Sequence, residues 1–115
     1  MRKYEIWMAD FDPRKGHAQS GRRPCVVVQN NLFNAYSPTV MVVPLTSIVK
    51  KPFPSEFLVE PSVYNGLTHT SRFLGSQVMT LDKVFLHEKL GTIEKNYYKL
   101  VSEALSLSLD IENRY

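Results

Sequence analysis

The stretch Gly16-His17-Ala18-Gln19-Ser20-Gly21-Arg22-Arg23-Pro24-Cys25-Val26-Val27-Val28-Gln29-Asn30 joins a basic polar loop to an apolar run, and this junction decides how the chain is read. Residues 24–29 are continuous in apolar and β-branched character, the pattern of a strand buried on both faces. Gly16, Ser20 and Gly21 permit loop angles that larger residues resist, while Pro24 fixes its own φ and biases Arg23 toward an extended conformation. Arg23 is thereby held where the strand begins. A guanidinium stays charged and offers forked donors that suit phosphate oxygens, which makes Arg23 a candidate anion holder. On this stretch alone the alternative, that Arg22 and Arg23 are solvated loop charges, stays open.

Working outward, residues 4–11 are aromatic-rich and stop at Asp12-Pro13, which reads as a first strand followed by a turn. Residues 30–38 are rich in asparagine and end in Ser37-Pro38, a connection with room for one helical turn. Residues 39–45 form the next strand. Its Pro44 cannot donate to a ladder, which implies an edge or a strand end and places Thr46-Ser47 at the tip. A basic loop, Lys50-Lys51-Pro52-Phe53-Pro54, leads to a short strand at residues 55–60 and the turn signal Asn65-Gly66. Residues 67–74 and 76–81 are two more strand candidates, separated by a bulge or bend at Gly75.

Short strands at this spacing predict a small, strongly bent, barrel-like sheet. The C-terminal part changes period: Ile93, Tyr97, Leu100, Val101, Ala104, Leu105 and Ile111 recur at helical spacing after Thr92, a possible N-cap. An amphipathic helix packed on the sheet follows, although residues 105–109 also alternate like a strand. The fold class is therefore mainly β with α, in one domain spanning residues 1–115.

Composition narrows the function. With 115 residues and 43% hydrophobic content the chain can bury a sizeable core. No run of about 18 apolar residues and no leader pattern occurs, so neither a membrane span nor a signal peptide is expected, and a cytoplasmic location is the default. Cys25, the single cysteine, lies inside the apolar run and reads as a small buried hydrophobe. His17, His69 and His87 show no metal-ligand spacing, so no metal and no cofactor is expected. Net charge is only +3, but Arg14, Lys15, Arg22, Arg23, Lys50 and Lys51 all fall between Asp12 and Glu56, where no acidic residue occurs. Such a basic block suits nucleic acid or an acidic protein segment, or is a solvated face.

Taken together, residues 16–24, then Val26-Val27-Val28-Gln29-Asn30, then Val42-Val43-Pro44-Leu45-Thr46-Ser47, then Gln77-Val78-Met79-Thr80-Leu81-Asp82-Lys83 resemble the MazF/PemK family of toxins in order and spacing. The opening Glu5-Ile6-Trp7 with Asp10-Phe11-Asp12-Pro13, the stretch Asn34-Ala35-Tyr36-Ser37-Pro38-Thr39 and the closing helix agree with it. The resemblance implies an SH3-like barrel of the MazF/CcdB type with a C-terminal amphipathic helix. It implies the toxin of a type II toxin-antitoxin system, a homodimer, cleaving single-stranded RNA (mRNA) without metal and held in check by a cognate antitoxin with an acidic disordered tail.

The matching positions give the expected site. Arg23 would hold the phosphate and stabilise its added charge, Thr46 would position it, and His17 matches a histidine linked to proton transfer in some members. Arg22, Lys15, Gln19, Phe11, Gln77 and Ser47 are the expected RNA contacts. Ala18 stands where many members carry Glu, Ser76 where an acidic residue often precedes the glutamine, and Met79 where an arginine is usual. Two rival readings follow: an antitoxin-binding module with weak catalysis, and a gyrase-binding toxin of the CcdB kind.

Overall fold

In the computed structural model, residues 1–11 and 21–111 are described. Seven strands run β1 (Glu5–Phe11), β2 (Gly21–Val27), β3 (Thr39–Thr46), β4 (Glu56–Val59), β5 (Ser71–Leu74), β6 (Met79–Asp82) and β7 (Leu86–Thr92). A short helix α1 (Asn31–Tyr36) links β2 to β3, and α2 (Tyr98–Leu109) closes the chain. The pairing order is β4-β5-β3-β2-β1-β7, with β6 lying against the other half of β3's outer edge. All the pairings are antiparallel.

The expectation of two buried faces for the second strand holds: Cys25, Val26 and Val27 are fully buried. Alternation divides them. Val26 and Val43 join one core with Leu45, Phe57, Phe73, Ile93, Val101 and Ala104, whereas Cys25, Val27 and Val42 join a second with Ala9, Phe11, Val40, Leu81 and Leu86. A bent sheet flanked by a helix thus covers β2 and β3 on both sides. Burial pushes the Cys25 thiol up to about 12, so it stays protonated and serves as packing.

Pro44 departs from expectation. It is not on an edge strand: β3 lies between β2 and the β5/β6 side, and Pro44 stands opposite Cys25. Along β3's outer edge the partners are β6 for residues 39–42 and β5 for residues 45–46. Pro44 falls in the gap between those two ladders, where a missing N–H does least harm.

Other differences cluster in the second half. Of residues 67–74 only Ser71–Leu74 form a strand, and Gly75–Gln77 is a single 3-10 turn before β6. A Cβ at Gly75 would lie 2.3 Å from the Ser55 carbonyl oxygen and 3.2 Å from Ala104 Cβ, so the bend depends on glycine to bring β4, the turn and α2 together. Strand β7 was not expected at all. Among the described residues it pairs with β1 alone, its register shifts twice, and His87, Glu88 and Lys89 face solvent, so its sequence carries neither an apolar run nor clean alternation.

Thr92 ends β7 and does not cap the helix; a 3-10 turn at Lys95–Tyr97 intervenes, and Tyr97 occupies the N-cap without a side-chain bond. The serine-leucine alternation after Ala104 is helical. It stops at Asp110, whose left-handed φ of 54° lets its N–H reach Leu107 and the Ile111 N–H reach Ser106.

Candidate functional site

The tip of β3 separates two clefts. Alternation along Leu45-Thr46-Ser47-Ile48 sends Leu45 and Ser47 to one and Thr46 and Ile48 to the other.

The first cleft, about 290 Å³, is bordered by Arg22, Arg23, Ser47, Thr68 and His69 over a base that includes Met8, Pro24 and Leu45. Arg22 and Arg23 open β2 directly after Gly21, whose φ of 80° turns the chain into the strand. Arg23 is half-buried opposite Ala9, and Arg22 is exposed opposite Asp10, to which its Nε lies at 3.3 Å. Asp10 also meets His87 Nε2 at 2.6 Å. That hydrogen bond, assisted by Arg22, holds the Asp10 carboxyl below its ordinary range.

The second cleft, about 570 Å³, is lined by Thr46, Ile48, Lys50, Phe53, Glu56, Arg72, Ser76 and Gln77. Thr46 is buried, and its Oγ1 accepts the Ile48 N–H at 3.2 Å. The strand-ending role that a threonine here could play is therefore filled, but the hydroxyl keeps its own proton to donate. Thr46 pairs directly with Arg72 across β3 and β5. On the next strand Glu56 stands opposite Leu74 and Leu58 opposite Arg72, so Glu56 is Arg72's diagonal neighbour on the same face. Arg72 Nε lies 3.2 Å from Glu56 Oε1, with the two side chains 12% and 6% exposed.

The structure thus brings Thr46 and Gln77 together in the second cleft and Arg22, Arg23 and Ser47 in the first. The β2–β3 ladder ends at Cys25 and Pro44; two residues further along the same register Arg23 would face Thr46. Phe11 is 3% exposed and belongs to the second core, so it is packing and not a platform for a base. His17, Gln19 and Lys15 lie outside the described residues. Sequence reasoning could offer Arg72 as a compensating phosphate contact, displaced from the family pattern and of unknown direction within its strand, but it missed the pairing with Glu56. Only the pairing register of β4 and β5 puts the two charges side by side. Met79, in place of the usual arginine, packs against the second core.

An antiparallel, barrel-like sheet with a closing helix, bearing basic and hydroxyl side chains at one strand tip, is the architecture of a known class of small toxins. The fold is similar to that of an endoribonuclease solved with its cognate antitoxin from a mycobacterial species (TM-score 0.80, 23% identity, 99% of both chains). It is similar too to MazF from Deinococcus radiodurans (TM-score 0.81, 22% identity, 96% of this chain and 97% of that one).

The chain belongs to the PemK-like, MazF-like toxins of type II toxin-antitoxin systems, whose family model matches residues 2–109. Among its relatives, the endoribonuclease MazF of Staphylococcus saprophyticus is 38% identical over 112 residues, covering 96% of this chain and 92% of the relative. That of Staphylococcus epidermidis is 38% identical over 114 residues, covering 98% and 94%.

Proposed function

We propose that this toxin is a metal-independent endoribonuclease that cuts single-stranded RNA, mRNA included, by attack of the ribose 2′-hydroxyl on the adjoining phosphorus. In that reaction the P–O2′ bond forms and the P–O5′ bond breaks. The proton of the 2′-hydroxyl passes to a base and another is delivered to the departing 5′ oxygen, leaving a 2′,3′-cyclic phosphate. The substrate supplies its own nucleophile, so the protein has to align the phosphate and stabilise its charge.

The observation that carries the reading is the convergence of Thr46, Gln77, Lys50 and Arg72 on one cleft at the tip of β3, in a chain 38% identical to endoribonucleases of this family. In this proposal Thr46 donates to a phosphate oxygen and Arg23 reaches the same phosphate from the end of β2. His17 moves a proton. Gln77, Ser47, Arg22, Lys15 and Gln19 contact the flanking nucleotides.

The whole chain forms one toxin domain in this reading and acts as a cytoplasmic homodimer. Among the described residues no helix is long and apolar enough to cross a membrane. Ile48 and Phe53, exposed at the rim of the second cleft, and Val49 offer apolar surface for self-association. The partner that restrains the activity is an antitoxin with an acidic tail, drawn to the basic block between Asp12 and Glu56; a mycobacterial structural relative was solved with its cognate antitoxin.

The test is cleavage of a long, unstructured RNA in EDTA, with product ends mapped, by the wild type and by Arg23→Ala. Discrete cuts bearing cyclic phosphate that vanish in the variant are expected. Tight binding of an acidic antitoxin peptide with no RNA turnover would replace this reading with a binding module, for which Ser76, lining the cleft where a carboxylate is common, is the supporting observation.

A further inference from the structure

The second cleft holds a charged group that the expected machinery does not use. Arg72 lines it, directly across the ladder from Thr46 and diagonal to Glu56. Its side chain is 12% exposed. Burying a guanidinium this deeply is costly unless its donors are used, and here the use is incomplete.

Nε lies 3.2 Å from Glu56 Oε1, yet among the described residues the Nε–H has no acceptor in hydrogen-bonding geometry. The contact is one of charge without a directed bond. Glu56 is itself engaged elsewhere, since the same Oε1 accepts the Phe53 N–H at 3.2 Å. A guanidinium carries five N–H donors. One set against a single shared oxygen, in a cleft also lined by Thr46, Lys50 and Gln77, keeps donor capacity for a second anion.

We infer that Arg72 is a second phosphate-holding residue of this toxin: it takes an RNA backbone phosphate next to the one positioned by Thr46, and Glu56 fixes the guanidinium in place before RNA arrives. The inference rests on the proposed ribonuclease reading and adds to it a binding subsite and the carboxylate that orients it. Arg72 stands directly opposite Thr46 across β3 and β5, so a cation lies beside the hydroxyl in one cleft. Successive phosphates of a single strand laid across the strands would meet them in turn. Lys50, at the rim, adds positive charge to the same path.

The experiment is a salt titration of binding with a 2′-O-methylated single-stranded RNA, which lacks the attacking hydroxyl, run beside cleavage of the unmodified strand. The proteins are the wild type, Glu56→Gln, Arg72→Lys and the double variant Glu56→Gln/Arg72→Met. Removing both partners avoids stranding a buried carboxylate. The double variant is expected to bind roughly ten- to a hundredfold more weakly at low salt, with a slope of log affinity against log salt shallower by about 0.7, the value for one lost phosphate contact on a single strand.

Glu56→Gln alone should keep the wild-type slope. Arg72→Lys keeps the charge and loses the fork, so it should bind more weakly at an unchanged slope, and it remains informative if the double variant fails to fold. A folded double variant with wild-type affinity and slope overturns the inference, as does Arg72→Lys binding at wild-type strength. Wild-type cleavage together with either result sinks the inference alone. Binding with the expected slopes but no wild-type cleavage sinks the ribonuclease reading and leaves the phosphate site standing. No RNA binding by the wild type overturns both.

Discussion

The two clefts at the tip of β3 hold the same kinds of residue under different constraints. In the second, Arg72 and Glu56 are almost entirely buried and lie on the paired strands β5 and β4, so their positions are set by the ladder. Bordering the first, Arg22 pairs with Asp10 across β1 and β2 with side chains 62% and 45% exposed, where water competes for every donor. The contrast teaches that a charge near a groove gains its meaning from what immobilises it. A buried arginine is preorganised and costly to disturb, while an exposed one is adaptable and cheap to remove.

The largest expected effect breaks the buried pair. Glu56→Ala leaves the Arg72 guanidinium unpaired in the second cleft and should destabilise the fold by about 3–5 kcal/mol, read from urea denaturation. Arg22→Ala on the other side should barely move the midpoint; equal losses for the two variants would erase the distinction.

Next in size is a catalytic effect. Arg23→Ala should slow single-turnover cleavage in EDTA roughly a hundred- to a thousandfold. Retained activity would assign the chemistry wholly to the second cleft. Thr46→Val, which removes a donor to a charged phosphate at little change in volume, should reduce the same rate roughly tenfold to a hundredfold. A loss confined to KM would make Thr46 a binding contact alone.

The smallest effect belongs to the exposed side. The His87 hydrogen bond, with help from Arg22, lowers the Asp10 carboxyl, so this group stabilises the fold above its ordinary value of 3.8 and loses that contribution as pH falls through the lowered folded value. Asp10→Asn should therefore be slightly less stable than the wild type near neutrality, and the gap should close in strong acid. Urea midpoints at the two pH values check it, and a gap that widens in acid would contradict the assignment.

Legibility from sequence followed burial. Strands β1, β2 and β3 announced themselves because continuous apolar or aromatic runs have few other uses in a short chain, and the helix because Val101 and Ala104 recur at its period. Strand β7 was hidden because an edge strand with two register shifts shows solvent its charged residues and offers no pattern. Pro44 misled for a related reason: it marked a gap between two partners, a property of how β5 and β6 divide one edge. Of the residues expected at the site, Thr46 and Gln77 line one cleft, whereas Phe11 is buried. Its inward direction follows from alternation with Ala9 and from the second core. The Arg72–Glu56 pair was out of reach because it depends on a β4–β5 register that no local signal contains.

The pairing of β1 with β7 has a bearing on when the molecule comes into being. Ala9 stands opposite Leu86 and Glu5 opposite Thr92, so β1 waits for a segment made much later before both its edges are satisfied. The Tyr4 ring, stacked on Tyr98 at 3.6 Å, waits for α2 in the same way. Contacts this distant in sequence form late and slowly. During synthesis β1 is left with an unpaired edge until β7 emerges, and the Tyr4 ring stays uncovered until α2 follows.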